Sequence, residues 1–370
     1  MHALRRLAAL LVLTPPLSLL ISAGATWGAA PAATVSPREP HPVDVSSGTN
    51  EHNVEDRTES AVVLVVLDGV RWQEVFGGAD RALASRQRGL NPIAWANPRA
   101  LMPNLHQMFE TDGMVIGAPG HGAEMTTGGA QRISLPSYRE IFTGRTDPGC
   151  QSNDCSRPLG RTLADDLYDV LGPGEFAVIA SWPKIARAAS SDPSRFVLTT
   201  GRKLIGQGDV LRADDVISSL LDAGTHTSAF PGEGDYRPDS LTERIALRYL
   251  ATARPRFLFV GLGDVDEYAH RNDYRGYLDA LHESDEFLGE LAVTLAAMGA
   301  RGQHTTVLVT TDHGRAYNFR DHGLWHPESG RVWLAAAGGD VPARGFVSSS
   351  QRHTLTDIAP TVRALLGMPV

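Results

Sequence analysis

Three short apolar runs in this chain end directly in acidic residues: Leu67-Asp68-Gly69, Gly263-Asp264-Val265-Asp266 and Thr311-Asp312-His313-Gly314. The second continues to His270, so that Asp266 and His270 stand four apart, on one face of a helical turn, where a carboxylate and an imidazole can grip one ion. The third offers Asp312 and His313 side by side. A further histidine from the segment 321–326 brings the inventory to three carboxylates and three imidazoles, a mixed nitrogen and oxygen set that suits zinc better than calcium or magnesium, which prefer oxygen alone. Any one of these acids alone would be read as a helix cap or a turn residue. Their joint appearance after separate apolar runs points to a metal centre at one edge of a sheet. Asp264, two residues before Asp266, could also bind metal but is read as a residue that supports the ligands from behind or caps a helix.

A nucleophile candidate lies in Ile133-Ser134-Leu135-Pro136-Ser137-Tyr138, followed by a helix-like run to Thr143-Gly144. Pro136 suits the first turn of a helix. A serine there faces unpaired N–H groups and the positive end of the helix dipole, which favour an alkoxide and attract a phosphate. The plain alternative is that Ser134 is only the helix cap.

The elements that must position these residues alternate short apolar runs with longer amphipathic ones, the pattern of buried strands joined by crossover helices. This predicts an α/β fold: a mostly parallel central sheet flanked by helices on both faces. Expected strands are Ala61–Leu67, Phe176–Ala180, Phe257–Gly261, Thr306–Thr310 and Val332–Ala336, with a weaker one at Phe196–Thr199. Expected helices follow Tyr274, where Leu278, Leu281, Leu288, Leu291 and Leu295 recur at helical spacing and Gly299 ends the run, and cover Asp239–Leu250 and Leu355–Leu366. In open sheets of this kind ligands bind at the carboxyl ends of strands, where the acids lie.

The sequence has 370 residues, 42% of them hydrophobic, enough for a large core. Arg5 and Arg6 precede an apolar run from Leu7 to Ile21 that is interrupted by Pro15 and Pro16 and followed by small residues. That is the pattern of a secretory signal peptide, assigned to 1–30, rather than of a permanent span, which needs about 20 unbroken apolar residues. Residues 31–59, rich in Pro, Ser, Thr, Asn and charge, read as a flexible linker, and 60–370 as the catalytic domain. Cleavage would leave a secreted or periplasmic protein and move the formal charge from −8 to −10. No basic stripe is visible, so a nucleic-acid surface is not expected. Cys150 and Cys155, the only two cysteines, are expected to close a small disulfide loop in an oxidising compartment, because they supply at best half of a structural zinc site.

Taken together, L-D-G at Asp68, S-L-P-S-Y through T-G from Ser134 to Gly144, D-E-Y-A-H from Asp266 to His270 and T-D-H-G at Asp312 resemble the alkaline phosphatase superfamily across nearly all of the mature domain. Within it the chain looks most like the nucleotide pyrophosphatase/phosphodiesterase-like branch, which places T-G ten residues after its nucleophile, as Gly144 stands after Ser134. That branch usually carries threonine, whereas serine is the residue of the alkaline phosphatases, so the nucleophile does not separate monoester from diester chemistry. The resemblance implies two divalent metal ions. One is held by Asp68, Ser134, Asp312 and His313; the other by Asp266, His270 and a distal histidine, with His322 ahead of His326 and His353 because a His-Gly pair precedes an apolar stretch. It also implies that Asn153, in the cysteine loop, hydrogen-bonds the transferring phosphoryl group.

The implied activity is hydrolysis of a small phosphate ester through a phosphoseryl intermediate. Sulfatases or phosphonate hydrolases of the same superfamily rank second: a sulfatase carries C/S-x-P-x-R, and here Tyr138 holds the arginine position with Arg139 one residue late. Mutase activity is not expected, for want of the length that the cofactor-independent phosphoglycerate mutases give to a second domain. A non-catalytic, metal-binding exported protein is the remaining alternative. Trp72, Phe76, Trp95 and Phe230 are candidates for stacking on a leaving group, with core packing the commoner fate of such residues.

Overall fold

The computed structural model describes residues 60–369 apart from Arg88, Asn91, Pro92 and Ala94; the expected signal peptide and linker lie outside the described residues. A nine-stranded sheet organises the chain. Its strands are β1 (Ala61–Leu67), β2 (Gly113–Ile116), β3 (Phe176–Ala180), β4 (Val197–Thr200), β5 (Lys203–Gly206), β6 (Phe257–Leu262), β7 (Thr305–Thr310), β8 (Leu334–Gly338) and β9 (Gly345–Phe346). Across the sheet the order is β9-β2-β8-β7-β1-β6-β3-β4-β5, and the central five, from β7 to β4, run parallel. Strand β8 is antiparallel to both β7 and β2, and β5 is antiparallel to β4.

Every residue of β1 is buried because both faces of the sheet are covered. Val63, Val65 and Leu67 point into one core and Val62, Leu64 and Val66 into the other, the two-residue period of a strand read in packing. The first core is closed by helix α2 (Asp239–Ala253) and by helix α4 (Tyr274–Ala297), whose Leu278, Leu281, Leu288, Leu291 and Leu295 form the expected stripe. Helix α1 (Ser134–Thr143) and helix α5 (Ile358–Leu365) close the second. Between α2 and α4 runs the short helix α3 (Asp264–His270).

Two expectations shift. The strand expected over Val332–Ala336 is divided: Arg331–Val332 belongs to a separate three-stranded sheet with Met125–Thr126 and His353–Thr354, and β8 starts only at Leu334. The helix expected from Leu355 opens as a 3-10 turn over Leu355–Asp357, where the Thr354 side chain and Asp357 cap each other reciprocally before α5 begins. Strand β2 was not foreseen, since four residues starting at a glycine carry little periodic signal. Among the described residues no helix is long and apolar enough to cross a membrane.

Candidate metal and nucleophile site

The parallel register places the carboxyl ends of β7, β1 and β6 side by side, with Val66 opposite both Thr310 and Gly261. Asp68, Asp312 and His313 therefore meet just beyond β1 and β7. Gly69 makes the approach possible. Its φ of +66° favours glycine, and a Cβ there would fall 2.1 Å from Asp266 Oδ1. The Gly69 amide donates to Asp312 Oδ1 at 3.0 Å, and the His313 amide donates to the same oxygen at 2.8 Å. Asp312 Oδ2 is buried with no hydrogen-bond partner, 3.4 Å from His313 Nε2. His313 Nδ1 lies 2.9 Å from the Gly314 carbonyl, a contact that places the ring proton on Nδ1 and leaves Nε2 with its lone pair toward the cluster. Asp68 Oδ1 stands 3.6 Å from that Nε2, while Tyr138 donates its hydroxyl to Asp68 Oδ2 at 3.0 Å.

Ser134 is the first residue of α1. The preceding Ile133 holds the cap position without a side-chain cap bond, so the serine hydroxyl is not spent on capping. Its Oγ lies 3.5 Å from Asp68 Oδ1 and 3.4 Å from His313 Nε2. Gly144, in the left-handed conformation, ends the helix.

A second cluster lies beside the first. Asp266 Oδ2 is 3.0 Å from His270 Nε2, one helical turn away on α3, and His322 Nε2 is 3.1 Å from the same His270 nitrogen. Helix α3 is fixed by a buried carboxylate network: Asp239 accepts from the Gly263 and Asp264 amides, and Asp264 accepts from the Asp239 amide and, at 2.7 Å, from the Tyr236 hydroxyl. Asp264 therefore ties α3 to the start of α2 rather than capping its own helix or joining the cluster. Burial and then the Asp239 charge push its carboxyl up to about 9.

Charge and burial act differently on the two groups. Burial raises Asp68, and the Asp312 charge adds to it; burial, followed by the Asp266 charge, raises Asp312 to about 8. Burial and the neighbouring His322 hold His313 well below its ordinary value, and burial lowers His322 to about 4, so both imidazoles are neutral at pH 7 and free to ligate. At Asp266 burial also pushes upward, but the Arg315 guanidinium and His270 outweigh it and keep the carboxylate charged. These features fit divalent cations. Each cluster has three donor atoms within 4.8 Å of one another, one buried carboxylate oxygen is orphaned, and two imidazole nitrogens face each other.

Of the residues singled out in the sequence, Asp68, Ser134, Asp312 and His313 come together in one group and Asp266, His270 and His322 in the next. Asn153 joins them: its Oδ1 accepts from the Leu135 amide at 2.9 Å, which leaves its Nδ2 donor uncommitted, and it lines a cavity of about 90 Å³ with Asp68, Ser134 and Asp266. Cys150 and Cys155, bracketing it, are disulfide-bonded. His326 and His353 lie elsewhere, paired with Glu328 and Asp357. The proposed stacking aromatics are not at the site. Phe76 packs on Phe109 and Trp333, Trp95 on His282, Phe230 on Tyr268, and Trp72 lies under Arg331. Trp182 and Tyr236 line the cavity instead.

Residues 237–370 match the model of a family described as the Metalloenzyme superfamily. A phosphopentomutase of Alkaliphilus metalliredigens (strain QYMF) is 27% identical over 253 residues, 60% of this chain and 61% of that protein. The chain therefore spans about three-fifths of that relative's length. A protein in the alkaline phosphatase superfamily from Vibrio parahaemolyticus superimposes on 84% of this chain and 66% of its own with a TM-score of 0.53 at 14% identity. Wild-type alkaline phosphatase PafA does so over 84% and 96%, with a TM-score of 0.51 at 12% identity. The fold is that of the alkaline phosphatase superfamily.

Proteins similar to this chain or its fold include the phosphopentomutase, the alkaline phosphatase PafA and a putative sulfatase from Bacteroides thetaiotaomicron VPI-5482. Against that background two side chains are informative. Tyr138, at the arginine position of a sulfatase motif, donates to Asp68. Arg139 turns away from the site: Nη1 pairs with Asp147 Oδ2 at 2.6 Å and Nη2 binds the Ser156 carbonyl. Arg315 was missed in the sequence although it follows Asp312-His313-Gly314 directly; it is 2% exposed and pairs through Nη1 with Asp266 Oδ1. Its only sequence signal was that adjacency.

Proposed function

We propose that the chain is an exported metal-dependent phosphoric-ester hydrolase acting through a phosphoseryl intermediate on Ser134. The observation that carries this reading is the placement of Ser134 Oγ, at the first residue of α1 and 3.4 Å from His313 Nε2, beside two clusters of nitrogen and oxygen donors. Asp68, Asp312 and His313, with Ser134, would hold one ion and Asp266, His270 and His322 the other, zinc being the best match to these donors. When bound, such ions lower the pKa of a coordinated hydroxyl or water and neutralise phosphate charge.

The chain's own groups do the rest. The N-terminus of α1 directs its dipole at the phosphoryl group, and Asn153 Nδ2, freed by the bond between Oδ1 and the Leu135 amide, can donate to an equatorial oxygen. Ser134 Oγ forms the bond to phosphorus as the bond to the leaving oxygen breaks, and the leaving oxygen takes up a proton. Water then cleaves the Ser134–phosphate ester, returning phosphate and the serine.

The test is hydrolysis of p-nitrophenyl phosphate, bis-p-nitrophenyl phosphate and p-nitrophenyl sulfate, before and after chelation and with zinc restored. Zinc-dependent cleavage of the first or second supports the reading and assigns monoester or diester preference; cleavage of the sulfate alone would overturn it. The outward turn of Arg139 weighs against the sulfatase. The phosphopentomutase match makes phosphoryl transfer within a sugar phosphate the second reading, and conversion of ribose 1-phosphate to the 5-phosphate without release of phosphate would select it.

A further inference from the structure

Loop 315–322 joins the two clusters in sequence, since it leaves His313 of the first and arrives at His322 of the second. Its fold is wrapped around one side chain. The Arg315 guanidinium, fully enclosed, donates from Nε to the Phe319 carbonyl at 2.6 Å, from Nη2 to the Arg320 carbonyl, and from Nη1 to Asp266 Oδ1. Phe319 is a non-glycine residue at φ +72°, a conformation that persists only where its surroundings impose it. Those surroundings are explicit. The Phe319 ring is buried edge-on against Tyr274 and Tyr277, each at 5.0 Å, with the Arg71 guanidinium 5.4 Å from its centre. The loop closes on itself through the Ala316 amide to the Asp321 carbonyl at 2.7 Å and the Phe319 amide to the Ala316 carbonyl at 2.9 Å.

We propose that Arg315 is a positioning residue that preassembles the second cluster, stapling the loop that carries His322 to Asp266 on α3. Two consequences follow from the contacts. Arg315 orients the Asp266 carboxylate by Oδ1, so that Oδ2, the oxygen that faces His270, is the one turned toward the cluster. His322 is delivered to His270 by a loop whose shape depends on a guanidinium rather than on a bound ion. An arginine suits this task because its planar fork spans three acceptors set well apart, whereas the donors of a lysine all leave one nitrogen.

This inference rests on the reading of Asp266, His270 and His322 as a metal site, and its test separates the two. Hydrogen exchange of the Ala316, Phe319 and Asp321 amides is measured in the full chain with and without chelator, alongside ion stoichiometry by elemental analysis. In the wild type chelation is expected to change exchange in loop 315–322 by less than about twofold. In chelated Arg315→Met the same amides should exchange at least about tenfold faster, and after dialysis the variant should retain one ion where the wild type retains two. Arg315→Lys, which keeps the charge opposite Asp266 with less perturbation of folding, should loosen the loop in the same sense. Wild-type exchange that rises on chelation alone to the level of the variants would overturn the proposal, as would a protected loop in both variants. A loop loosened by both substitutions in a protein that never binds a second ion would uphold the staple and refute the two-ion reading.

Discussion

Asp68, Asp312 and His313 stand at the ends of two paired strands and are sealed from solvent, whereas Asp266, His270 and His322 come from a short helix and a loop, with the His270 side chain 45% exposed. Sheet register brings the first group together: once Val66 pairs with Thr310, Asp68 and Asp312 stand side by side. The second depends on side-chain contacts, the Asp239 network beneath α3 and Arg315 across the loop. Rigid geometry carries an electrostatic burden in the absence of a cation, because it holds carboxylates together out of water with one oxygen unpaired. The open cluster carries less of that burden, since Arg315 already balances Asp266.

Five measurements test that contrast, beginning with the largest effect. Ser134→Ala should lower kcat/KM on the order of 10⁴-fold while both ions remain, as removal of a nucleophile does elsewhere; full activity would remove Ser134 from the chemistry. His322→Ala should cost about 10³-fold and release one ion, leaving the sealed cluster loaded; loss of both ions would show that the two are not independent. Asn153→Ala should cost about 10²-fold in kcat with metal content unchanged, the scale of one lost donor to a charged transition state. Tyr138→Phe removes only the hydroxyl bonded to Asp68 and should weaken the ion of the sealed cluster by about tenfold, the lower end for a group that orients a metal ligand, as read by competition with a chelator; a wild-type affinity would mean that this hydroxyl does not orient Asp68.

The smallest effect concerns stability. Burial and the Asp266 charge raise the Asp312 carboxyl to about 8, above its unfolded value of about 4. Its contribution to the metal-free fold is therefore complete below about pH 4 and is lost as pH rises toward 8. Between pH 6.5 and 8 this group should cost chelated wild type at most about 2 kcal/mol, a few degrees of melting temperature, against a smaller opposite gain as the unfolded forms of His313 and His322 finish losing their protons. Asp312→Asn should show a smaller fall over the same interval, and an equal fall would mean that the sealed carboxylate carries no such burden.

The contrast also governs how much could be read from the sequence. The sealed cluster was legible because buried parallel strands are continuous apolar runs, and the acid that ends each run lies at the sheet's ligand-binding edge. The distal histidine was harder. His322 and His326 stand four positions apart in a loop, and only the fold shows His322 reaching His270 while His326 turns to Glu328. Arg315 was invisible as a participant, since an arginine after a turn is ordinarily solvated and its enclosure depends on Asp266 of a distant helix and on its own loop, whose Phe319 is held by Tyr274 and Tyr277 of α4. The aromatics failed for a related reason: a large ring predicts burial but not which cavity it lines, so Trp182 drew no notice while Trp95 and Phe76 did.

Strand β1, the first of the described strands, lies between the last two of the five central parallel strands: Val62 pairs with Phe257 on one side and with Thr306 on the other. Neither neighbour exists until most of the chain has been synthesised, and a sheet built on such distant pairings forms slowly because the entropy of closing a long loop precedes any gain. The centre of the domain must wait, with a seven-residue run of Val, Leu and Ala unpaired in the meantime. An exposed strand of that composition is prone to aggregate, so the yield of native protein should depend on how well the nascent chain is shielded until β6 and β7 arrive.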